Sequence, residues 1–244
     1  MKKSAFILLS FVYILNAYAQ DPVKILDEVD KNLSADSRIL DSKMVVYGKR
    51  NDRTMTAHSI TMGDKKSFTE YLSPARDKGT KMLKLDKELW MYSPSTDRTI
   101  MISGHMLRQS LMGSDLSYED MMEDRKLNVL YKAVISGEET LDNRTCYVMQ
   151  LTAKVTDVAY YSMKLWVDKE RLIPLRQELF GKSGQLLKHI IFSDVKKIDK
   201  RWFPMKMNYK DVLKDGKGTD WIILSIQFDQ PIPNHVFSKA SLKQ

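Results

Sequence analysis

The pattern of hydrophobic and polar residues predicts a helix near the start of the chain. Asp21-Pro22 precedes apolar residues that recur at helical spacing, with charged residues opposite them. Asp caps helices well, and Pro is preorganised for the first helical position. We therefore predict a one-sided amphipathic helix over residues 21–33, whose apolar face must pack on another element. Its apolar positions are Val23, Ile25, Leu26, Val29 and Leu33.

From residue 41 onward the period of the pattern becomes two, which is typical of β-strands. Turn residues such as Gly63-Asp64 and Asp142-Asn143 separate the segments. Connections this short join neighbouring strands into antiparallel pairs. About eleven to twelve strands at this spacing predict a mainly β fold, a strongly curved antiparallel sheet or an open, incomplete barrel. More than eight strands leave room inside for a guest.

One stretch, residues 104–124, interrupts this alternation. It carries methionine and leucine at partly helical spacing, and Ser117 with Asp120 forms a capping-box pattern for a short helix ending near Asp124. The stretch is either a helix that closes an ordinary core or a pliable lid over a cavity for an apolar guest. Methionine favours the lid, because its unbranched thioether adapts to irregular partners. We expect this stretch and the helix over 21–33 to cover the concave face of the sheet.

The first nineteen residues have the pattern of a cleaved export signal. Lys2-Lys3 is followed by an apolar run over residues 4–15 that is too short to span a bilayer comfortably. Ala17-Tyr18-Ala19 then has the small-x-small pattern of a signal peptidase site. We predict a signal peptide over residues 1–19, cleavage after Ala19, and a single exported domain over residues 20–244.

Charge and cysteine usage narrow the class of protein. The formal net charge is +8, and basic residues such as Lys84 and Lys188 are scattered along the predicted strands. A nucleic-acid interface needs a concentrated basic face with stacking aromatics, so we expect a solvated outer surface and no nucleic-acid partner. The single cysteine, Cys146, excludes an intramolecular disulfide. A domain of this length builds a sizeable core without one.

Catalytic signals are weak. The histidines are dispersed, and the chain has neither an H-E-x-x-H nor a G-x-S-x-G motif, so we expect no enzyme activity and no cofactor. A hydrolase would have to use residues such as Ser114 and His105. Acidic residues recur three and four apart in the predicted lid and lack the spacing of a calcium loop, so a solvated helix face is favoured over a metal site. They are Asp115, Glu119, Asp120, Glu123 and Asp124.

Three motifs carry a resemblance to a known family. They are Tyr71-x-x-Pro74-x-Arg76-Asp77-x-Gly79-Thr80, Leu89-Trp90-x-Tyr92-x-Pro94 and Gly113-Ser114-Asp115-x-Ser117-Tyr118-Glu119-Asp120. In this combination the chain resembles the LolA-like superfamily, specifically the divergent branch of outer-membrane lipoprotein-sorting proteins. The resemblance implies an unclosed antiparallel barrel with a helical lid and a hydrophobic cavity for acyl chains.

The resemblance also implies a function. It predicts a monomeric periplasmic carrier that binds acyl chains of lipoproteins or lipids and shuttles them between the inner and outer membranes. Transient partners would be an inner-membrane exporter and an outer-membrane acceptor. The alternative is a sensor that binds lipidated protein in the same cavity and regulates a partner. Family carriers hold the lid closed with an arginine, and Arg76 lies in a loosely equivalent position.

The candidate acyl-binding residues come from two segments. In the strands, the charges of Lys84 and Asp86 place Leu83 and Leu85 on the buried face. The predicted cavity wall consists of Leu83, Leu85, Leu89 and Met91. The predicted lid contacts are Leu107, Leu111, Leu116, Met121 and Met122. Trp90 and Tyr92 either face the cavity or pack from outside, because the pattern leaves the strand register open.

Overall fold

A computed structural model describes residues 20–243, so the predicted signal peptide lies outside the described residues. Thirteen strands form a single antiparallel sheet, slightly more than predicted, in the order β6-β5-β4-β3-β2-β1-β13-β12-β11-β10-β9-β8-β7. Because the two edge strands do not pair, the sheet is the open barrel that the pattern predicts. The strands are β1 (Ser37–Val46), β2 (Arg53–Met62), β3 (Lys66–Ser73), β4 (Lys81–Leu85), β5 (Glu88–Ser93), β6 (Arg98–Ile102), β7 (Tyr131–Leu141), β8 (Arg144–Ala153), β9 (Ser162–Asp168), β10 (Pro174–Phe180), β11 (Leu186–Ile198), β12 (Arg201–Asp211) and β13 (Thr219–Phe228).

The helical pieces are short and capped as the sequence predicts. Helix α1 (Pro22–Leu33) begins at Asp21, whose carboxylate accepts a hydrogen bond from the amide of Val23 at 2.9 Å. Helix α2 (Tyr118–Met122) has the predicted capping box between Ser117 and Asp120, with both bonds present. The remaining pieces are helix α3 (Leu127–Leu130) and 3-10 turns over Gly104–Arg108, Leu111–Gly113, Asn234–Phe237 and Lys239–Lys243. Among residues 20–243, none of the helices has both the length and the apolar character that a bilayer crossing requires.

The connection between the two edge strands positions the lid. Strands β1 to β6 lie side by side in chain order, and the chain then passes to β7 at the opposite edge. We use "lid" for residues 104–124 of this connection, and "inner face" for the face of the sheet that the lid covers. The lid packs on the inner face of β1 to β5, and α1 packs on the inner face of β7 to β13. The predicted positions of both covers are confirmed.

A second apolar layer lies on the outer face of β3 to β5. The two C-terminal 3-10 turns pack there, and we call the resulting cluster the outer patch. Its buried members are Phe68, Leu83, Phe237 and Leu242, of which Leu83 and Leu242 are completely buried. This part of the sheet is therefore covered on both faces, which period-two alternation in β4 and β5 alone does not reveal.

The turn after β9 depends on the buried carboxylate of Asp168. Arg144 donates to it from Nε at 2.7 Å and from Nη2 at 2.8 Å, and the amides of Glu170 and Arg171 donate at 2.9 and 3.1 Å. Burial by itself raises the pKa of Asp168, but the hydrogen bonds from Arg144 and the two amides outweigh it and lower the pKa. A lowered folded-state pKa means that protonation opposes folding.

We expect Asp168→Asn to lower the free energy of unfolding at pH 7 by about 3 kcal/mol, because it breaks a buried ion pair. In the wild type, this stabilisation is complete above the ordinary Asp pKa of about 4 and disappears as the pH falls through the lower folded-state value. The variant should therefore lose less stability than the wild type between pH 5 and pH 2. Urea unfolding at several pH values measures both effects. Asp199→Asn in the exposed β11–β12 turn is the control, and equal losses in the two variants would contradict the prediction.

Candidate functional site

The inner face beneath the lid is apolar and rich in methionine. Alternate residues of β1 and β2 point toward the lid, and they include Met44, Met55 and Ala57. Met82 and Tyr71 continue the surface on the neighbouring strands. From the lid itself come Met106, Met112, Met121 and Met122, which pack against the same cluster. Methionine therefore contributes from both sides, which makes this contact adaptable.

Little space is left between the lid and the sheet. The apolar cavity there has a volume of about 30 Å³, room for one or two water molecules. Leu111, Leu116 and Met121 of the lid and Tyr71 and Trp221 of the sheet are among its lining residues. The lid is closed, and its own side chains fill most of the space between it and the sheet.

Two buried lysines fasten the lid to the sheet. The first is Lys84 of β4, whose Nζ donates to the carboxylate of Asp124 at 2.9 Å and to the carbonyl of Met122 at 2.6 Å. Its side chain is only 3% exposed. Arg38 of β1 donates to the second oxygen of Asp124 at 2.8 Å. The C-terminal end of the lid is thus fixed to β4 and β1 by one shared carboxylate.

The second lysine holds the lid from the other half of the sheet. Lys188 of β11 forms a buried ion pair with Asp120 and lies 5.8 Å from the ring centroid of Tyr160. The Tyr160 hydroxyl donates to the other oxygen of Asp120 at 2.7 Å. Burial first, and then the negative charge of Asp120, raise the pKa of Tyr160 well above its ordinary value. Asp120 therefore caps α2 and anchors it at the same time.

These contacts correct two predictions about charge. Lys84 and Lys188 do not belong to a solvated outer surface, because both are buried under the lid. The acidic residues of the lid do not form a solvated face either, since Asp120 and Asp124 accept these lysines. Asp115 is buried as well, and it accepts from the Thr219 hydroxyl at 2.8 Å and the Asp211 amide at 3.0 Å. The residues that the structure describes contain no group of three side chains able to hold a metal ion.

The candidate acyl-binding residues divide between the two faces of the sheet. Seven lie in the apolar cluster beneath the lid: Leu89, Met91, Leu107, Leu111, Leu116, Met121 and Met122. Four do not, and instead lie in or against the outer patch: Leu83, Leu85, Trp90 and Tyr92. The reason is that Lys84, assigned to solvent by its charge, points to the lid, which turns its neighbours to the outer face. Trp90 there stacks under Lys239, with Nζ 3.7 Å from the ring centroid.

The arginine that lies beside the lid in the structure is Arg53, not the predicted Arg76. Arg76 is 68% exposed and pairs with the adjacent Asp77 at 3.3 Å. Arg53 instead lies against the lid at Gly113, where an added Cβ would be 3.3 Å from the Arg53 Nη2. The φ of Gly113 is +73°, so the lid passes the guanidinium at a position that suits only glycine. The buried Nε and Nη2 of Arg53 have no hydrogen-bond partner among the described residues.

Sequence reasoning missed the floor of the cavity. Met44, Met55, Ala57, Tyr71 and Trp221 line it, although the alternation in β1 and β2 marks several of them as facing inward. What the pattern lacks is the information that β1 and β2, rather than β4 and β5 alone, lie under the lid. The hydrolase candidates are not arranged for catalysis: Ser114 is completely buried and donates to the Leu116 carbonyl at 3.4 Å, and His105 is exposed.

An open antiparallel sheet with a lid across its inner face is the fold of lipoprotein-sorting and LolA superfamily proteins, which confirms the predicted resemblance at the level of the fold. A DUF1329 family protein from Desulfovibrio piger ATCC 29098 is 25% identical with a TM-score of 0.80, covering 91% of this chain and 100% of that chain. A domain described as an outer membrane lipoprotein-sorting protein from Vibrio parahaemolyticus is 21% identical with a TM-score of 0.79. The match covers 91% of this chain and 98% of that chain. A LolA superfamily protein from Nitrosomonas europaea is 22% identical with a TM-score of 0.77. The match covers 91% of this chain and 100% of that chain.

The family itself follows from the sequence match. A family model whose description reads "Uncharacterized protein" matches residues 63–244, and the chain belongs to that family. The match includes the lid, both lysine anchors and the C-terminal turns. Among curated proteins, no sequence matches this chain.

Proposed function

We propose that the protein is a monomeric periplasmic carrier, exported by residues 1–19, that binds acyl chains of lipoproteins or lipids between the sheet and the lid. It would receive its cargo from an inner-membrane exporter and release it to an outer-membrane acceptor. The observation that carries the proposal is the composition of the lid contact. A chain of short turns, apolar and methionine-rich on its inner side, covers an equally methionine-rich surface and is fastened by ion pairs at its C-terminal end.

The energetics of exchange support a carrier. A sixteen-carbon chain at about 0.8 kcal/mol per buried methylene offers on the order of 13 kcal/mol. Displacing the buried Leu111 and Leu116 costs about 1.5–3 kcal/mol each, and displacing the partly buried Met121 costs less, so together they offset up to roughly half of that gain. The remaining affinity is enough to keep a chain out of water and small enough for an acceptor to remove it. The displaced lid side chains contact the cargo in turn.

Lipid extraction tests the proposal directly. The protein should be purified from its own periplasm, measured by native mass spectrometry and then extracted with organic solvent. We expect a bound mass that disappears on extraction and is recovered as an acyl-bearing molecule. Protein that carries no lipid and takes up no fluorescent fatty acid would contradict the proposal.

A charge placed in the cavity should block uptake. In Met121→Glu, the carboxylate would have to be buried with the acyl chain, and we expect uptake of a fluorescent fatty acid to fall by about tenfold or more. The matched control is Met101→Glu, because Met101 lies on the edge strand β6 with 43% of its surface exposed. Equal uptake by the two variants, both folded by circular dichroism, would show that the chain binds elsewhere.

A further inference from the structure

A second, larger cavity adjoins the apolar one. Its volume is about 320 Å³, at the lower end of the ~300–1,000 Å³ typical of small-ligand sites. The lid contributes Arg108, Ser117 and Glu119 to its walls, and the sheet side contributes Lys188 and Lys214. Unlike the residues that line the cavity beneath the lid, most of its lining residues carry a charged or hydroxyl group.

Leu116 connects the two cavities, because it lines both of them. On one side of this residue lie the apolar inner face and the methionines of the lid. On the other side lie the charged groups of the polar cavity. A molecule with an apolar tail and a polar head could therefore place each part in a suitable cavity, on either side of Leu116.

The charges of the polar cavity are not all used within the protein. Lys188 is committed to Asp120, and Asp115 to Thr219 and the Asp211 amide. Arg108 and Glu119, in contrast, form no hydrogen bond or ion pair with any residue in the range 20–243, although the positive charge of Arg108 acts on Glu119 from a distance. Lys214 donates to the Ser110 hydroxyl at 2.6 Å and to the Ser114 carbonyl, neither of which neutralises its charge.

The wall of the polar cavity carries charges of both signs, which restricts the chemistry of a ligand. Arg108 and Lys214 lie there without a carboxylate at ion-pair distance, which suits a phosphate. The carboxylates of Asp115 and Asp211 each accept a backbone amide, whereas Glu119 accepts no hydrogen bond from residues 20–243. Burial, followed by repulsion from Asp120, raises the pKa of Glu119, and the charges of Arg108 and Lys188 oppose this rise. Glu119 would repel a purely anionic ligand, and Arg108 and Lys214 would repel a purely cationic one.

We propose that the polar cavity binds the head of the carried lipid and that this head is zwitterionic, with a phosphate at Arg108 and Lys214 and an ammonium group at Glu119. The inference rests on the proposed function, since it assumes that the acyl chain lies beneath the lid. It adds the chemical class of the cargo: a zwitterionic phospholipid with an ammonium group in its head, in preference to an anionic or uncharged lipid.

Single-chain lipids that share one palmitoyl tail test the proposal by calorimetry. The probes are lysophosphatidylethanolamine, lysophosphatidylglycerol and uncharged monopalmitoylglycerol, with free phosphoethanolamine as the head without a chain. We expect the wild type to bind lysophosphatidylethanolamine about tenfold tighter than lysophosphatidylglycerol, as one charge-assisted contact provides. Glu119→Gln should remove this preference without weakening the binding of lysophosphatidylglycerol.

The cationic side of the cavity has its own variant. Arg108→Gln should weaken the binding of both lysophospholipids by about tenfold and leave the binding of monopalmitoylglycerol unchanged. Arg98→Gln on β6 is its control, and Glu70→Gln on β3 is the control for Glu119→Gln. Both control residues lie outside the cavity. Arg108 is exposed, so its replacement should not disturb folding.

The outcomes separate the two proposals. Equal affinity of the wild type for all three tailed probes, unchanged in Arg108→Gln and Glu119→Gln, would overturn the head site and leave the acyl carrier standing. Free phosphoethanolamine that binds as tightly as its lysolipid would overturn the assignment to a lipid head, because the site would then serve a soluble zwitterion. Failure of every tailed probe to bind the wild type would overturn the carrier and this inference together.

Discussion

Asp124→Ala is expected to lower the free energy of unfolding by about 3–5 kcal/mol, the usual cost of breaking a buried ion pair by removing one partner. Lys84, which is 3% exposed, would keep only the Met122 carbonyl as an acceptor. Arg38 would lose the same carboxylate, so two cations would face each other without an anion between them. Chemical denaturation at pH 7 measures the change.

Two controls show whether the effect belongs to the buried pair. Asp157→Ala removes a carboxylate that pairs with Arg125 and Lys87 on the surface, and its cost should stay below about 1 kcal/mol. Lys84→Met should lower the free energy of unfolding clearly in the wild type. In the Asp124→Ala background it should change that free energy little, because the ion pair is already broken there. A loss of less than 1 kcal/mol in Asp124→Ala would show that the anchor contributes nothing.

The same variant bears on the carrier proposal. If the lid must move to admit an acyl chain, a lid without its C-terminal anchor should open more often. Asp124→Ala should therefore exchange bound fluorescent fatty acid faster than the wild type, at a temperature where both are folded. An unchanged exchange rate would mean that another contact controls entry.

Leu242→Ala is expected to cost about 2–5 kcal/mol, because Leu242 is completely buried against the outer patch and its truncation leaves a cavity there. The matched control is Leu213→Ala, since Leu213 is 72% exposed and its truncation should change stability by less than about 0.5 kcal/mol. Thermal unfolding of the three proteins gives the comparison. Equal midpoints for Leu242→Ala and the wild type would mean that the C-terminal turns do not stabilise the sheet.

Lipid uptake should respond differently from stability in this variant. Leu242 and Leu83 lie on the face of the sheet opposite the lid, so Leu242→Ala should bind fatty acid with wild-type affinity wherever it is folded. Met121→Glu should do the reverse, with impaired uptake in a protein that remains folded. A loss of uptake in Leu242→Ala at low temperature would show that the outer face takes part in binding.

The elements of this fold could be predicted well because they depend on neighbouring residues. The cap at Asp21, the capping box at Ser117 and Asp120, and the turn at Asp142-Asn143 all follow from local hydrogen bonding and backbone preference. Strand β1 was the main error of this kind. The pattern predicts strands only from residue 41 onward, whereas β1 begins at Ser37, because its first residues mix polar and apolar side chains on both faces.

The candidate site could be predicted only in part. The lid residues were identified from the break in alternation, and those from Leu107 to Met122 do lie over an apolar surface. The opposite wall was assigned to β4 and β5, which follow the motif, whereas much of it belongs to β1 and β2. The prediction for Leu83 and Leu85 is wrong because a charged neighbour, Lys84, does not mark solvent here, and the structure places Trp90 and Tyr92, whose face the pattern leaves open, on the outer face.

By itself, the sequence determined the mainly β class, the helical covers, their caps and the methionine-rich character of the lid, since periodicity and capping act within a few residues. Only the tertiary structure decided which strands lie beneath the lid, that the lid is closed, and that Lys84 and Lys188 are buried. The physical reason is that a lysine is stable in the interior only when a carboxylate from a distant segment meets it. Asp124 is forty positions from Lys84 in the chain, and Asp120 is sixty-eight positions from Lys188. No local pattern connects either pair.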